Sequence, residues 1–142
     1  MDKIRVLFIC THNSGRSQMA EAFMNALAGD RFHAESAGLE PKPIQPLVIQ
    51  AMKEVGIDIS RSQSKSAFRF FKEGRTYSYV ITVCENEVED KCPTFPGIQR
   101  RIFSGFDDPS KFEGTDEEKL EKIRRVRDQI KARVEEWIGN LR

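Results

Sequence analysis

Long apolar runs are missing from this chain. Of its 142 residues 39% are hydrophobic, yet no stretch approaches the roughly 20 apolar residues a membrane-spanning helix needs. The run that ends at Cys10 is too short and too soon interrupted for a signal peptide. Excess charge is missing as well. The 23 Lys and Arg against 22 Asp and Glu leave a net charge of +1, so no overall field draws in nucleic acid or an anionic membrane. Recognition of an anion must therefore be local. Cysteine is scarce and odd in number, at Cys10, Cys84 and Cys92. Without a secretory signal this argues against a disulfide framework and for a reducing, cytoplasmic setting. With His12 and His33 the only histidines, a histidine metal cluster is not expected. Repeats, low-complexity tracts and dividing linkers are absent too, so residues 1–142 are expected to form one domain with a core of its own. Nothing marks an oligomer interface, and the chain is expected to be a monomer.

What is present alternates between strand and helix patterns. Residues 4–10 (IRVLFIC) are almost continuously apolar and β-branched, the pattern of a strand covered on both faces. Residues 17–28 place Met19, Ala20, Phe23, Met24 and Leu27 at helical spacing, with Gly29 at the stop. A second strand is expected over 32–36. Pro41, Pro43 and Pro46 then lead into a helix near 47–55 that Gly56 ends. Residues 60–71 are ambiguous; a helix there would bury Ala67, Phe68 and Phe71. Residues 77–84 (YSYVITVC) read as a central strand and 98–103 as a shorter one. Thr115-Asp116-Glu117-Glu118 is a capping box. Leu120, Ile123, Val126, Ile130, Val134, Trp137 and Leu141 follow it at steps of three and four, a core-facing stripe. The alternation predicts an α/β fold, a small four-stranded parallel sheet flanked by helices on both faces.

The loop after the first strand carries the chemistry. It reads Cys10-Thr11-His12-Asn13-Ser14-Gly15-Arg16-Ser17, between a strand's carboxyl end and a helix N-terminus. Unpaired backbone N–H groups converge there and the helix dipole is positive, so residues 11–17 can cradle a tetrahedral oxyanion. Arg16 adds a planar fork of charged donors. A thiol at such a place is favoured as the thiolate, the nucleophilic form, and Ser17 or Ser14 could donate to it. Asn13 suits tight or left-handed backbone, and Gly15 allows close approach. His12 carries no chemistry of its own in this reading. The bland counterpart is a buried cysteine at a strand end with Arg16 on an exposed turn.

The segments CTHNSGRSQMAE, SAG, AMKEVGIDIS and GFDDP together resemble the thioredoxin-coupled arsenate reductases built on the low-molecular-weight tyrosine phosphatase fold. The resemblance implies that Cys10 is the nucleophile, Arg16 the anion clamp and Asp108 the acid that protonates the departing oxygen. It also implies that Cys84 and Cys92 are second and third redox cysteines. Arsenate, with phosphate or sulfate as mimics, would be bound at residues 11–17 and reduced to arsenite. A Cys10–Cys84 disulfide would form, pass to Cys84–Cys92 and be reduced by thioredoxin, with no tightly bound cofactor. The relay needs a loop that visits several pairings, and residues 85–91, acidic with Val88 the sole apolar anchor, suit a segment that opens at low cost.

This chain departs from the pattern at His12 and Gly15, where relatives often carry glycine and cysteine, and Cys84 and Cys92 are one residue further apart. Some relatives hold potassium with residues matching Asn13, Glu21 and Ser36 plus an acid. Lys65 stands where that acid is expected, so no metal is predicted. Lys65 reads as a surface lysine, with an ammonium in the ion's place as the alternative. Two other functions compete. A low-molecular-weight phosphatase would use Cys10, Arg16 and Asp108 alike, but it has no need of Cys84 and Cys92 and usually carries aromatic residues after Asp-Pro, where this chain has Ser110 and Lys111. A cysteine-based metal or redox sensor would leave Asp108 without a purpose.

Overall fold

The computed structural model describes residues 2–84 and 92–142. Four parallel strands form one sheet in the order β2-β1-β3-β4, with β1 at Ile4–Cys10, β2 at Phe32–Gly38, β3 at Tyr79–Thr82 and β4 at Arg100–Phe103. The second strand runs two residues beyond its expected end, to pair Cys10 with Gly38. The third is shorter than expected, so Cys84 lies past its end.

Because side chains alternate across a strand, β1 divides its apolar run between two cores. Val6, Phe8 and Cys10 enter a large one and Leu7 and Ile9 a small one. The large core is roofed by α1 (Arg16–Ala28), α2 (Pro46–Lys53) and α4 (Asp116–Asn140). The expected capping box is formed at Thr115 and Glu118, and all seven residues of the expected α4 stripe are buried. Trp137 of that stripe tilts against Phe8 at 5.9 Å between ring centroids. Glu54, just past α2, ties to Arg124 and Arg127 of α4.

The small core is covered by α3 (Ala67–Lys72), which corrects one expectation. Ala67 and Phe70 are its buried pair, while Phe68 and Phe71 are each 44% exposed. In a six-residue helix only one such pair can face the sheet.

The strand order places the catalytically promising loop. From β1 the chain turns to β2 on one side, then returns to β3 on the other. The carboxyl end of β1 is thus a topological switch point, where parallel sheets open a crevice. Trp137→Ala should cost about 3–5 kcal/mol, because it empties the contact between α4 and β1. Urea denaturation would measure it, with a surface change such as Lys131→Ala close to neutral.

Candidate active site

Four carbonyl groups of the loop are tied down from outside. Cys10 O, Thr11 O, His12 O and Ser14 O accept the backbone N–H groups of Leu39, Glu40, Lys42 and Gln45, at 3.3, 2.7, 3.0 and 3.0 Å. In a trans peptide the following N–H points opposite to its carbonyl. Turning those carbonyls toward 39–45 therefore turns the amides of 11, 12, 13 and 15 the other way. The Asn13 amide shows the result, donating to Cys10 Sγ at 3.1 Å.

Asn13 is the pivot. It is the one described residue other than glycine with positive φ, at 53°, a conformation asparagine tolerates better than most. Its Oδ1 accepts from Lys65 N at 2.9 Å and Gln18 Nε2 at 2.9 Å. Its Nδ2 then donates to Ser17 Oγ at 2.7 Å. Ser17 Oγ lies 2.8 Å from Cys10 Sγ, in a hydrogen bond that either atom can donate. The Asn13 amide and the Ser17 hydroxyl thus both meet the Cys10 sulfur. Gly38 makes the close fit possible, since a Cβ there would lie 2.8 Å from Asn13 N.

Arg16 begins α1 and is 3% exposed. Its Nη1 donates to Phe106 O at 3.1 Å, and its Nη2 lies 3.4 Å from Asp108 Oδ2. Asp108 divides its oxygens between two tasks. Oδ1 accepts from Ser110 N and Ser110 Oγ, capping the single turn Pro109–Lys111, while Oδ2 faces Arg16. Burial pushes this carboxyl up, but the Arg16 charge and the Ser110 bonds outweigh it and hold it below the ordinary aspartate value of 3.8. Asp108 is thus a counter-ion of Arg16.

Cys10, His12, Ser14, Gly15, Arg16 and Asp108 border one narrow cleft. Thr11 is not among its lining residues, and Asn13 and Ser17 lie beneath it, buried against the sulfur. Ser14 Oγ accepts from Gln45 Nε2 at 3.4 Å, and its expected bond to the sulfur is not among those formed. His12 Nδ1 is 3.0 Å from Glu40 O.

Cys84 and Cys92 are buried thiols, like Cys10. Cys84 shares the large core with Cys10, its Sγ 4.0 Å from Ile9 O. Cys92 belongs to the small core, in the layer across the sheet. The segment 85–91, expected to open at low cost, lies outside the described residues. Three contributors went unread in the sequence: Gln18, which also donates to Asn13 O and Gln63 O, Gln45, which borders the cleft, and Ser64, which donates to Asn13 O at 3.1 Å. Gln18 follows Ser17 in a helix and would have been found by asking which polar residue of that helix faces the loop.

The match to the low molecular weight phosphotyrosine protein phosphatase model runs over residues 5–142. This chain belongs to that family. Within the family it is 43% identical to an arsenate reductase of Halalkalibacterium halodurans, over 94% of each chain. Its fold is similar to a solved arsenate reductase in the phosphate-binding state, with TM-score 0.74, 35% identity and coverage of 98% of this chain and 99% of the other. It is also similar to a thioredoxin-dependent arsenate reductase of Corynebacterium glutamicum, with TM-score 0.70 and 29% identity, over 98% of this chain and 62% of that longer one. No helix among the described residues is long and apolar enough to cross a membrane.

The potassium position of some family members does not fit a cation here. Glu21 Oε1 accepts from Ser36 Oγ at 2.9 Å and pairs with Lys65 Nζ at 3.2 Å, while Asn13 Oδ1 is taken by two N–H donors. Lys65 is therefore not the surface lysine expected; with 22% of its side chain exposed, its ammonium pairs with Glu21. Melting temperature should be equal in potassium and sodium chloride at the same ionic strength; calorimetric scans would check it. Asp108→Asn should bind inorganic phosphate about tenfold more tightly at neutral pH, roughly 1.4 kcal/mol for one competing carboxylate removed. That advantage should fade only once pH falls through the native carboxyl's lowered value, itself under the ordinary 3.8; titration calorimetry across pH would show both.

Proposed function

We propose that the chain reduces arsenate to arsenite in the cytoplasm, as one catalytic domain that acts without a resident metal or cofactor. The observation that supports it most is the meeting of Asn13 N and Ser17 Oγ at Cys10 Sγ within a cleft that Arg16 and Asp108 also line. A nucleophilic sulfur beside a guanidinium suits attack on an oxyanion, and the relatives named above are arsenate reductases.

Arsenate displaces Asp108 from Arg16 as it binds, and the turned-in amides of the loop take its other oxygens. Cys10 attacks arsenic, a sulfur–arsenic bond forms, and one oxygen leaves as water. The proton comes through Asp108, which can accept one once Arg16 has turned to the anion. Cys84 then attacks Cys10 Sγ. A disulfide forms, the electron pair of the sulfur–arsenic bond stays on arsenic, and arsenic(V) becomes arsenic(III). Cys92 next attacks Cys84 and releases Cys10. An external dithiol of the thioredoxin type reduces the Cys84–Cys92 pair. The two layers that hold Cys84 and Cys92 require rearrangement after the first disulfide.

Phosphate ester hydrolysis by Cys10, Arg16 and Asp108 is the competing reading, and the cysteines separate the two. Reduced protein given arsenate without reductant should release one arsenite per chain and end with Cys84 joined to Cys92. Cys92→Ser should stop at the Cys10–Cys84 disulfide, seen by peptide mass mapping. Cleavage of a phenyl phosphate faster than arsenate reduction, undiminished in Cys84→Ser and Cys92→Ser, would establish the phosphatase instead.

A further inference from the structure

Gln45 holds a position that ordinarily serves helix stability, and its side chain does not serve it. It is the N-cap of α2, in extended backbone, with Pro46 as the first helical residue. Serine, threonine, asparagine and aspartate are favoured there, because their short side chains accept from the first amides of the helix. The Gln45 side chain makes no such bond. Its backbone carbonyl takes the amides of Val48 and Ile49, at 3.0 and 3.2 Å. Among the described residues, no group accepts from the Leu47 amide.

The carboxamide turns the other way, toward the anion-binding loop. The Gln45 backbone amide holds Ser14 O at 3.0 Å, which fixes the residue against the cleft wall. Its Nε2 donates to Ser14 Oγ at 3.4 Å, a long contact. That is the one hydrogen bond its side chain makes among the described residues. The same nitrogen would lie 3.3 Å from a Cβ at Gly15, so it sits over the stretch of the loop that has no side chain. Gln45 and Pro109 line both the cleft and the groove beside it, which runs on to Phe112 and Lys119. The half-buried carboxamide thus stands at the lip between the two. Of its two N–H donors and its carbonyl acceptor, a single N–H is engaged, and weakly.

We propose that Gln45 is a substrate-contacting residue whose Nε2 donates to an oxygen of the bound oxyanion, one that stays on arsenic when water leaves. The inference rests on the reading of the cleft as the oxyanion site. The exchange is favourable because a long bond to a hydroxyl is given up for one to a charged oxygen, the stronger kind. Being neutral, the carboxamide adds a donor without adding a second buried cation, which would need a counter-charge of its own. A contact to an oxygen that stays is made alike before and during attack by Cys10. It therefore contributes to KM rather than to kcat.

The unused helix cap supplies the discriminating variant. Gln45→Asn shortens the arm by a methylene, which draws the carboxamide back from the cleft and toward the Leu47 amide. It should raise the melting temperature by about 3 °C. At the same time it should weaken binding of inorganic phosphate about tenfold. Gln45→Leu, close in size, should weaken phosphate equally with little change in melting temperature. Scanning and titration calorimetry read the two quantities. In turnover with arsenate, both variants should raise KM about tenfold with little loss of kcat. An indirect effect through Ser14 is separated by a double variant: the loss from Gln45→Leu should persist in full in a Ser14→Ala background. A loss that vanishes there overturns the inference, since it marks a residue that only orients Ser14. Equal phosphate affinity in the native and Gln45→Leu chains overturns it too, as does a fall in kcat with KM unmoved. A native chain that binds no phosphate at all would instead overturn the oxyanion reading of the cleft, and this contact with it.

Discussion

Everything at the active site depends on four carbonyl groups being pulled outward. Residues 39–45 extend past β2 and take the oxygens of Cys10, Thr11, His12 and Ser14 on their own amides. Left to itself a short loop would present a mixture of donors and acceptors to the cleft, and an anion would meet repulsion as often as attraction. Consuming the acceptors on one side leaves donors on the other. The left-handed Asn13 is needed for that turn, a conformation that costs on the order of 1 kcal/mol for a residue other than glycine. Six hydrogen bonds made by its side chain and its backbone, two of them to Gln18 and the others to Lys65, Ser17, Ser64 and the Cys10 sulfur, over-determine it.

The electrostatic arrangement follows from that frame. Arg16 is almost fully buried and would be costly without a counter-charge. Asp108 supplies one and is anchored by its other oxygen to Ser110. An incoming oxyanion can therefore replace it at the guanidinium without dismantling the turn at Pro109. In the proposed reaction, counter-ion and proton donor are the same carboxyl at successive stages, a change driven by where Arg16 directs its charge.

The sequence made some of this legible and hid the rest for physical reasons. The first strand announces itself by an unbroken apolar run of β-branched character, and the first and the C-terminal helices by a period repeated over many residues. Helix α3 does not: with Phe68, Phe70 and Phe71 crowded into two turns, sequence cannot say which ring faces the sheet, and the structure chose Phe70. The loop from Cys10 to Ser17 was readable because its chemistry is contiguous. Gln45 and Ser64 were not, since their roles arise from segments that meet only after folding. Lys65 illustrates the same limit. Its backbone amide serves Asn13 and its ammonium serves Glu21, two uses no spacing rule encodes. The division of Cys84 and Cys92 between opposite layers of the sheet was equally invisible, because it depends on where the chain passes after β3.

The closeness of Gly38 to the backbone of His12 and Asn13 reaches beyond this one molecule. A residue with no reactive group, at the end of a neighbouring strand, governs how far the anion-binding turn can sink toward the sheet. Adding even a methyl group there would lift the turn, displace its amides together and blur the fit for a tetrahedral guest. Evolutionary change in the turn is thereby tethered to its floor: bulkier variants above would require backbone retreat below, and chemical specificity can drift only as far as that shared space permits.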